Sequence, residues 1–293
     1  MLLLTGATGR VGSALLRWLV AERQPVRCLV RDPRRLGPDR VRVQIALGDL
    51  GDPASFRHAV RGARTVVHLA ATERDQAHAT IEEVDGLATW RLLRAAERAG
   101  VEHFVFLSAL GATPHHRARM LRAKSLAEAA VAQGGLRTTT LRCSLVYAPG
   151  DRRLALLDRL SLLPAVPVTA NMAHARSQPV WAGDVADAVA AVLRAPATDA
   201  HAVHEIAGPE VYSYRELVQV ALRAKGRSRP LLSLPSGLIL GALSGYEALT
   251  GPVAYTTRDE ADLLASTMLS AGGSAGAEAL GVTPRRVAEV LAA

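Results

Sequence analysis

Three glycines near the start of the chain have the spacing of a phosphate-binding turn. The segment at positions 5–12 reads Thr-Gly-Ala-Thr-Gly-Arg-Val-Gly. It follows the apolar run 1–4 and leads into leucines with helical spacing. A strand, a glycine turn and a helix N-terminus form a phosphate cradle, because glycine lets the backbone approach a pyrophosphate and unpaired helix N–H groups hold its charge. The pattern predicts a dinucleotide site, and its predicted phosphate-side residues are Gly6, Thr8, Gly9, Arg10, Val11 and Gly12.

A basic turn follows the second apolar run and bears on the choice of dinucleotide. Arg31 comes directly after residues 26–30, with Asp32 next and Arg34 and Arg35 beyond. At this strand end an acid accepts from the ribose of NAD, whereas an arginine accommodates the 2′-phosphate of NADP. A guanidinium matches phosphate geometry with two parallel hydrogen bonds. The arginines of this turn favour NADP, whereas Asp32 leaves NAD as an alternative. A solvent-exposed basic turn that binds no cofactor is the other interpretation of the same residues.

The next two strand ends carry further candidate cofactor contacts. Asp49 and Leu50 follow the third apolar run, where a carboxylate is positioned to meet the adenine amino group. An aspartate that only starts a helix explains the same position equally well. The fourth run ends in Leu69, Ala70 and Ala71. Such small residues let the cofactor backbone lie close to the sheet.

Apolar runs alternate with amphipathic segments through the first two thirds of the chain. Strands are predicted at 1–4, 26–30, 41–46, 65–69, 104–108 and 138–141, and helices at about 13–22, 54–61, 80–99 and 117–133. Near-continuous apolar strands alternating with helices indicate a parallel sheet covered on both faces. The predicted class is therefore α/β, with a doubly wound parallel (Rossmann) sheet. His68, inside the fourth run, is predicted to be a packed core histidine.

The pattern changes after position 147. Residues 151–178 look irregular, and beyond them helices are predicted at 184–193 and 214–225, with a strand at 203–206. We predict an NAD(P)-binding Rossmann domain made of 1–147 and 179–207, and a substrate lobe made of 148–178 and 208–293. The apolar segment 231–249 contains a proline and three glycines, so it is predicted to be a lid or lobe helix rather than a membrane span.

Composition argues against several classes of partner. The formal net charge is +8, but all basic residues except Lys124 and Lys225 are arginines, and they are scattered without long runs. This distribution predicts no nucleic-acid binding. Cys28 and Cys143 lie in apolar strand-like runs and are predicted to be reduced core residues. Because the predicted fold begins at residue 2, no leader is expected, and the predicted location is cytoplasmic. No metal site is predicted.

Taken together, these motifs resemble the short-chain dehydrogenase/reductase superfamily in its extended or atypical branch. The nearest likeness is to the NmrA-like group and the related accessory subunit of respiratory complex I. The resemblance covers most of the chain and rests on positions 5–12, 48–50, 68–71, 141–151, 178–186 and 204–210. It implies a Rossmann fold, an NAD(P) cofactor, a small-molecule substrate and, in many members, a homodimer.

The resemblance also implies a catalytic set that this chain only partly retains. The family uses a serine together with a tyrosine and a lysine spaced YxxxK, in which the phenol moves the proton and the ammonium holds the nicotinamide ribose. Ser108 ends the fifth strand at the serine position, and Lys124 lies at the lysine position. Met120 stands where the tyrosine should be, and a thioether cannot transfer a proton. The candidate substitutes are Tyr147, His115, His116 and Asp151.

The favoured interpretation is an NAD(P)H-dependent oxidoreductase. It would transfer hydride to a small apolar carbonyl, enone or quinone-like substrate, with Ser108, Lys124 and Tyr147 as catalytic candidates. Direct hydride transfer to such substrates can take its proton from water or a loop histidine, so Met120 does not exclude it. The alternative is a non-catalytic NADP(H)-binding redox sensor or assembly protein. A sugar-nucleotide epimerase is disfavoured, because that chemistry relies on the missing tyrosine.

Overall fold

Seven parallel strands form the central sheet of this protein. The computed structural model describes residues 1–169, 172, 174–195, 199–250 and 256–292. In chain order its strands are β1 (Leu2–Thr5), β2 (Val26–Val30), β3 (Gln44–Leu47), β4 (Thr65–His68), β5 (His103–Ala109), β6 (Arg137–Cys143), β7 (Val146–Tyr147), β8 (Val166–Thr169), β9 (Arg176–Ser177), β10 (Val180–Trp181), β11 (His201–Ile206), β12 (Tyr212–Ser213) and β13 (Leu231–Leu234). The central sheet has the order β11-β6-β5-β4-β1-β2-β3, and the pairs β7–β10, β9–β12 and β8–β13 lie outside it.

Helices connect the strands on both sides of the sheet. They are α1 (Arg10–Ala21), α2 (Pro53–Phe56), α3 (Ala88–Arg98), α4 (Arg119–Ala132), α5 (Arg152–Leu160), α6 (Ala182–Arg194), α7 (Tyr214–Ala224), α8 (Ser236–Thr250), α9 (Arg258–Leu264), α10 (Ala275–Glu278) and α11 (Val287–Ala292). A 3-10 segment at Pro33–Val41 follows β2, and a π-helical segment at Glu82–Leu87 leads into α3.

Alternate residues of the inner strands β1, β2, β4 and β5 pack in two separate apolar cores. On β1, Leu4 packs in the core that contains Leu15 of α1, while Leu3 packs in the core that contains Leu92 of α3 and Ala127 of α4. Successive strand side chains point to opposite faces, so a continuous apolar run is stable only where helices cover both faces. All the pairings within the sheet are parallel. The predicted doubly wound α/β fold is confirmed.

Two predicted boundaries around the third strand are wrong. The strand predicted at 41–46 is Gln44–Leu47, and the helix predicted at about 54–61 ends at Phe56. The chain before β3 forms the 3-10 segment, which has a proline in its first turn and Pro38 in its interior. Proline has no N–H for a strand ladder, so this stretch turns rather than pairs.

The region 151–178, predicted to be irregular, contains α5 and β8. Asp151 caps α5 by accepting a hydrogen bond from the Leu154 N–H at 2.8 Å. The strand β8 pairs with β13, which sequence reasoning missed. Pro167 discouraged a strand prediction, but a two-stranded sheet leaves an open edge where a missing N–H costs nothing.

The apolar segment predicted at 231–249 divides into β13 and the helix α8. Leu238, near the start of α8, is exposed. Within the described ranges, no helix has the length and apolarity to cross a membrane.

Both cysteines are free, buried core residues, as predicted. Cys28 lies on β2 and Cys143 on β6. Burial raises the pKa of each thiol to about 12. Both thiols therefore stay protonated near neutral pH, and we expect neither to act as a nucleophile.

Candidate functional site

A cleft runs along the carboxyl-terminal edge of the central sheet, where ligands bind in open α/β folds. It has two parts that share Thr8, Gly9, Arg35, Leu69 and Ala71. The large chamber, of about 700 Å³, is lined by the glycine turn, the ends of β4, β5 and β6, and residues of α4, α5, α7 and α9. The small chamber, of about 230 Å³, is lined by the glycine turn and the ends of β2, β3 and β4.

The glycine turn leaves room for an anion because side chains are excluded from it. Gly6 has φ +74°, and a Cβ there would lie 2.5 Å from the Ala70 nitrogen. A Cβ on Gly12 would lie 2.0 Å from the Gly6 carbonyl oxygen. Gly9 precedes α1 as its N-cap and adds no side-chain cap. The turn therefore brings bare backbone and the first amides of α1 to the cleft, an arrangement that fits a pyrophosphate.

Most predicted site residues meet at this cleft. Those that line one or both chambers are Gly6, Thr8, Gly9, Arg10, Val11, Gly12, Arg31, Asp49, Leu50, Leu69, Ala70, Ala71, Ser108 and Lys124. They come together because parallel strands end at one edge of the sheet. Arg34 and Tyr147 do not line either chamber.

In the small chamber, Arg31 faces two polar side chains. Its Nη1 donates a hydrogen bond to Gln76 and lies 3.9 Å from Asp49 Oδ2. The Arg34 side chain, in contrast, is 89% exposed. Arg35 lines both chambers instead. The 3-10 turn is the cause, since successive side chains on it point about 120° apart.

Ser108 supplies a buried polar group to which no described residue hydrogen-bonds. The residue is 3% exposed and lines the large chamber. Its Oγ has no hydrogen-bond partner among the described residues. Buried polar atoms are nearly always paired, so an unpaired one in a cleft wall fits a ligand contact. Met120 lines the same chamber and packs in an apolar cluster with Leu263 and Met268.

Lys124 is paired with an acid that sequence reasoning missed. Its Nζ lies 2.9 Å from Asp85 Oδ1, and both side chains are buried. Burial raises the pKa of Asp85 above its ordinary value, although the Lys124 charge opposes this rise. Glu128, one helical turn beyond Lys124, pairs instead with Arg142 at 2.6 Å. The sequence feature that could have revealed this pair is Asp85 itself, the single acid in a stretch of apolar and small residues at 84–89.

Tyr147 packs outside the large chamber, although Val146, the preceding residue on the same strand, lines it. Strand β7 pairs with β10, and the Tyr147 ring packs against Val287 and Val290 of α11. Its hydroxyl is buried without a hydrogen-bond partner in the described chain, and burial raises the pKa of the phenol. The structure therefore does not bring Tyr147 together with Ser108 and Lys124.

A cluster of charged side chains lines the large chamber beside the glycine turn. The two oxygens of Glu73 lie 2.6 Å from Arg10 Nη2 and 2.6 Å from Arg153 Nη2. Burial opposes ionisation, but the two guanidinium groups lower the pKa of Glu73 to about 2. Arg10 also donates to the Val146 carbonyl at 3.0 Å and lies 3.5 Å from Asp151. The cluster joins α1, the β4 loop and α5.

Of the remaining candidate substitutes, only Asp151 lines the large chamber, where its carboxylate accepts from the Leu154 N–H and lies beside Arg10. His116 Nδ1 accepts from the Ala118 N–H at 3.0 Å, and burial lowers the pKa of its imidazole. Neither His115 nor His116 is among the residues lining the chambers. Tyr214 of α7 does line the large chamber, although no sequence motif pointed to it. Among the described residues, no group of three or more His, Cys, Asp or Glu is arranged to hold a metal ion.

Comparison with known proteins agrees with this geometry. A family model described as NAD(P)H-binding matches residues 6–196, which include the glycine turn, Arg31, Ser108 and Lys124. The chain belongs to this NAD(P)H-binding family. The match ends just beyond α6, before β11.

Curated relatives match over most of the chain at modest identity. One is the mitochondrial subunit 9 of the NADH dehydrogenase [ubiquinone] 1 alpha subcomplex of Arabidopsis thaliana. It is 28% identical over 230 residues, covering 73% of this chain and 55% of the relative. Another is sterol demethylase protein B of Methylococcus capsulatus, 27% identical over 268 residues, covering 82% of this chain and 79% of the relative. The chain thus spans little more than half the length of the plant relative.

A solved structure of similar fold contains a bound dinucleotide. The crystal structure of an NADPH-dependent quinone oxidoreductase from Escherichia coli, complexed with NADPH, superposes with a TM-score of 0.77 at 19% identity. The superposition covers 99% of this chain and 98% of that chain. At this identity the likeness establishes the shared fold.

Proposed function

We propose that this protein is an NADPH-dependent oxidoreductase that reduces a small apolar carbonyl, enone or quinone-like substrate without a catalytic tyrosine. One observation carries the proposal: the buried, unpartnered hydroxyl of Ser108 shares a chamber wall with the thioether of Met120. Ser108 would donate a hydrogen bond to a substrate oxygen. Met120, Leu263 and Met268 would contact an apolar body beside that oxygen.

The cleft residues suggest how the cofactor would be held. The glycine turn and the N-terminus of α1 would bind the pyrophosphate. Arg31 and Arg35 would hold the 2′-phosphate of NADPH, while Asp49 would meet the adenine. Lys124 would hold the nicotinamide ribose. Two cations near the small chamber support NADPH over NADH, because only NADPH carries the additional phosphate.

The same proposal divides the chain into two functional parts. Residues 1–147 and 179–207 would form the nucleotide-binding domain, and residues 148–178 and 208–293 the substrate lobe. The support is that α5, Tyr214 and α9, which belong to the second part, line the large chamber together with the glycine turn. The side chains of those elements would then determine which substrate shapes fit the large chamber.

The side chains that line the large chamber limit which reductions the protein could catalyse. When bound, the reduced cofactor supplies the hydride that forms the new C–H bond of the product. The electron pair displaced onto the substrate oxygen would be stabilised by the Ser108 hydrogen bond. Water would supply the proton, because Met120 has no exchangeable proton and neither loop histidine lines the chamber. Burial raises the pKa of the Tyr214 phenol, and the Asp151 carboxylate is engaged by Arg10 and the Leu154 N–H. Quinones and activated alkenes tolerate this arrangement, whereas alcohol oxidation needs a base that position 120 lacks.

The relatives are compatible with this reading. The Escherichia coli structure is that of an NADPH-dependent quinone oxidoreductase, and the Methylococcus relative is a sterol demethylase protein. A quinone and a sterol are both largely apolar, like the chamber wall around Met120.

A second candidate is a non-catalytic NADP(H)-binding sensor or assembly protein. It is favoured by the loss of the tyrosine at position 120 and by the tight pairing of Lys124 with Asp85. The Arabidopsis relative is named as a subunit of a larger enzyme. A protein of this class would bind the cofactor without turning over a substrate.

One experiment separates the two candidates. NADPH and NADH are titrated by fluorescence, and NADPH oxidation is then followed with panels of quinones, enones and aldehydes. The oxidoreductase predicts turnover that falls in Ser108→Ala while NADPH affinity is kept. Tight NADPH binding with no turnover across the panel supports the sensor. Absence of dinucleotide binding contradicts both.

A further inference from the structure

Lys124 is held by a buried acid that lies on a different element. Lys124 belongs to α4 and Asp85 to the π-helical segment Glu82–Leu87, against which α4 packs. The two side chains are 2% and 0% exposed, and Nζ lies 2.9 Å from Oδ1. We propose that Asp85 is the positioning residue that aims the Lys124 ammonium at the nicotinamide ribose. This inference rests on the proposed role of Lys124 in binding the cofactor.

The donors of the ammonium group can be accounted for one by one. An ammonium has three N–H donors and no acceptor. One is donated to the Leu107 carbonyl oxygen at 2.9 Å, and Asp85 Oδ1 lies at ion-pair distance from Nζ, 2.9 Å, outside hydrogen-bond geometry. The ring of Phe106 lies on another side, 4.8 Å from Nζ. Because Lys124 also lines the large chamber, a donor that Leu107 does not take is left for a ligand hydroxyl.

Asp85 is itself fixed from two further directions. Its Oδ2 accepts a hydrogen bond from the Thr72 N–H at 2.8 Å, and its backbone carbonyl accepts from the Thr89 hydroxyl at 2.8 Å. Thr72 lies in the loop after β4 and lines the large chamber. Asp85 thus ties the ammonium to the loop that borders the cleft. It does not line the chamber, so it would act through Lys124.

No other carboxylate in the described chain lies within ion-pair distance of Lys124. Glu128 is engaged with Arg142. The buried carboxylate of Asp85 therefore sets where the ammonium charge sits. A flexible four-carbon side chain would otherwise carry that charge to several positions.

The test compares a ligand that contains the nicotinamide ribose with one that lacks it. NADPH extends to the nicotinamide ribose, whereas adenosine 2′,5′-diphosphate ends at the adenosine half. In Asp85→Asn, we expect NADPH to bind roughly tenfold or more weakly, because the hydrogen bond from the Lys124 ammonium to the ribose would be lost. Adenosine 2′,5′-diphosphate should bind as it does to the wild type. Calorimetry measures both. A merely structural role would weaken both ligands.

A matched control is available elsewhere in the fold. Asp184 is also a buried acid, and it accepts from the Arg285 N–H at 2.8 Å away from both chambers. Asp184→Asn should leave the NADPH to adenosine 2′,5′-diphosphate affinity ratio unchanged. If this control lowers the ratio as much as Asp85→Asn does, the proposal is overturned.

A double-mutant cycle tests whether Asp85 acts through Lys124. Lys124→Gln should weaken NADPH, and the double variant should bind no worse than Lys124→Gln alone. Additive losses overturn the proposal. If Lys124→Gln leaves NADPH affinity unchanged, the proposed role of Lys124 fails and this inference with it. If only Asp85→Asn is silent, the inference alone fails.

A second variant covers the case in which Asp85→Asn does not fold. Asp85→Glu keeps the charge pair but moves the carboxylate by one methylene. We expect it to lower the affinity for NADPH and not for adenosine 2′,5′-diphosphate. An unchanged ratio of the two affinities in this variant contradicts a positioning role.

Discussion

Acid should destabilise this protein through a histidine that the fold buries in its neutral form. His68 of β4 is fully buried, with Nδ1 2.6 Å from Thr5 Oγ1 and Nε2 3.0 Å from Thr89 Oγ1. The Thr89 hydroxyl donates its own hydrogen to the Asp85 carbonyl, so its oxygen accepts from Nε2. Nδ1 is then the acceptor for Thr5. A neutral imidazole satisfies both bonds, whereas an imidazolium cannot accept one.

The direction and size of this pH effect on the free energy of unfolding follow from the shift in the pKa of His68. Burial and the Lys124 charge lower the pKa of His68 from 6.5 to about 3. Between these two values the unfolded chain binds a proton that the folded chain does not. The His68 contribution to the free energy of unfolding is therefore complete above pH 6.5 and is lost as the pH falls towards 3. The slope is about 1.4 kcal/mol per pH unit and the full loss on the order of 5 kcal/mol, comparable with the whole stability of many domains.

Urea unfolding followed by circular dichroism, between about pH 7.5 and 4.5, measures this slope. His68→Gln should show a pH slope shallower than the wild type by about 1.4 kcal/mol per pH unit. The exposed His58 provides a control, since His58→Gln should keep the wild-type slope. His103, whose pKa burial lowers to about 4, contributes equally in all three proteins. Equal slopes in the wild type and His68→Gln would refute the reasoning.

Three further perturbations test the cleft. Arg31→Ala should weaken NADPH about tenfold and spare NADH, because only NADPH has the 2′-phosphate; fluorescence titration checks this, and an equal loss of both contradicts it. Gly12→Ala should abolish binding of both dinucleotides in calorimetry, since its Cβ would lie 2.0 Å from the Gly6 carbonyl oxygen, and retained binding speaks against the cradle. The pKa of Glu73 is lowered from 4.5 to about 2, so its contribution to the free energy of unfolding is complete above pH 4.5 and is lost towards pH 2. The stability difference between wild type and Glu73→Gln in urea should shrink over that range, and a constant difference would count against the shift.

The parts of the fold that the sequence predicted well are those specified by local pattern. Continuous apolar runs require a sheet covered on both faces, and the described sheet has that arrangement. The burial of His68 followed from its position inside such a run. The stretch 151–178 was missed because prolines in it suppress the usual strand and helix signals, while the capping of α5 and the pairing of β8 depend on partners distant in sequence.

The sequence by itself determined the cradle. Glycines at fixed spacing between a strand and a helix leave bare backbone there, because only glycine avoids the close contacts found at Gly6 and Gly12. The tertiary structure decided which side chains reach the cleft. A 3-10 turn brings Arg35 to it instead of Arg34, and the pairing of β7 with β10 keeps Tyr147 away. The pairing of Lys124 with Asp85 also needed the fold, because an ion pair between residues 39 positions apart depends on how helices pack and leaves no local sequence pattern.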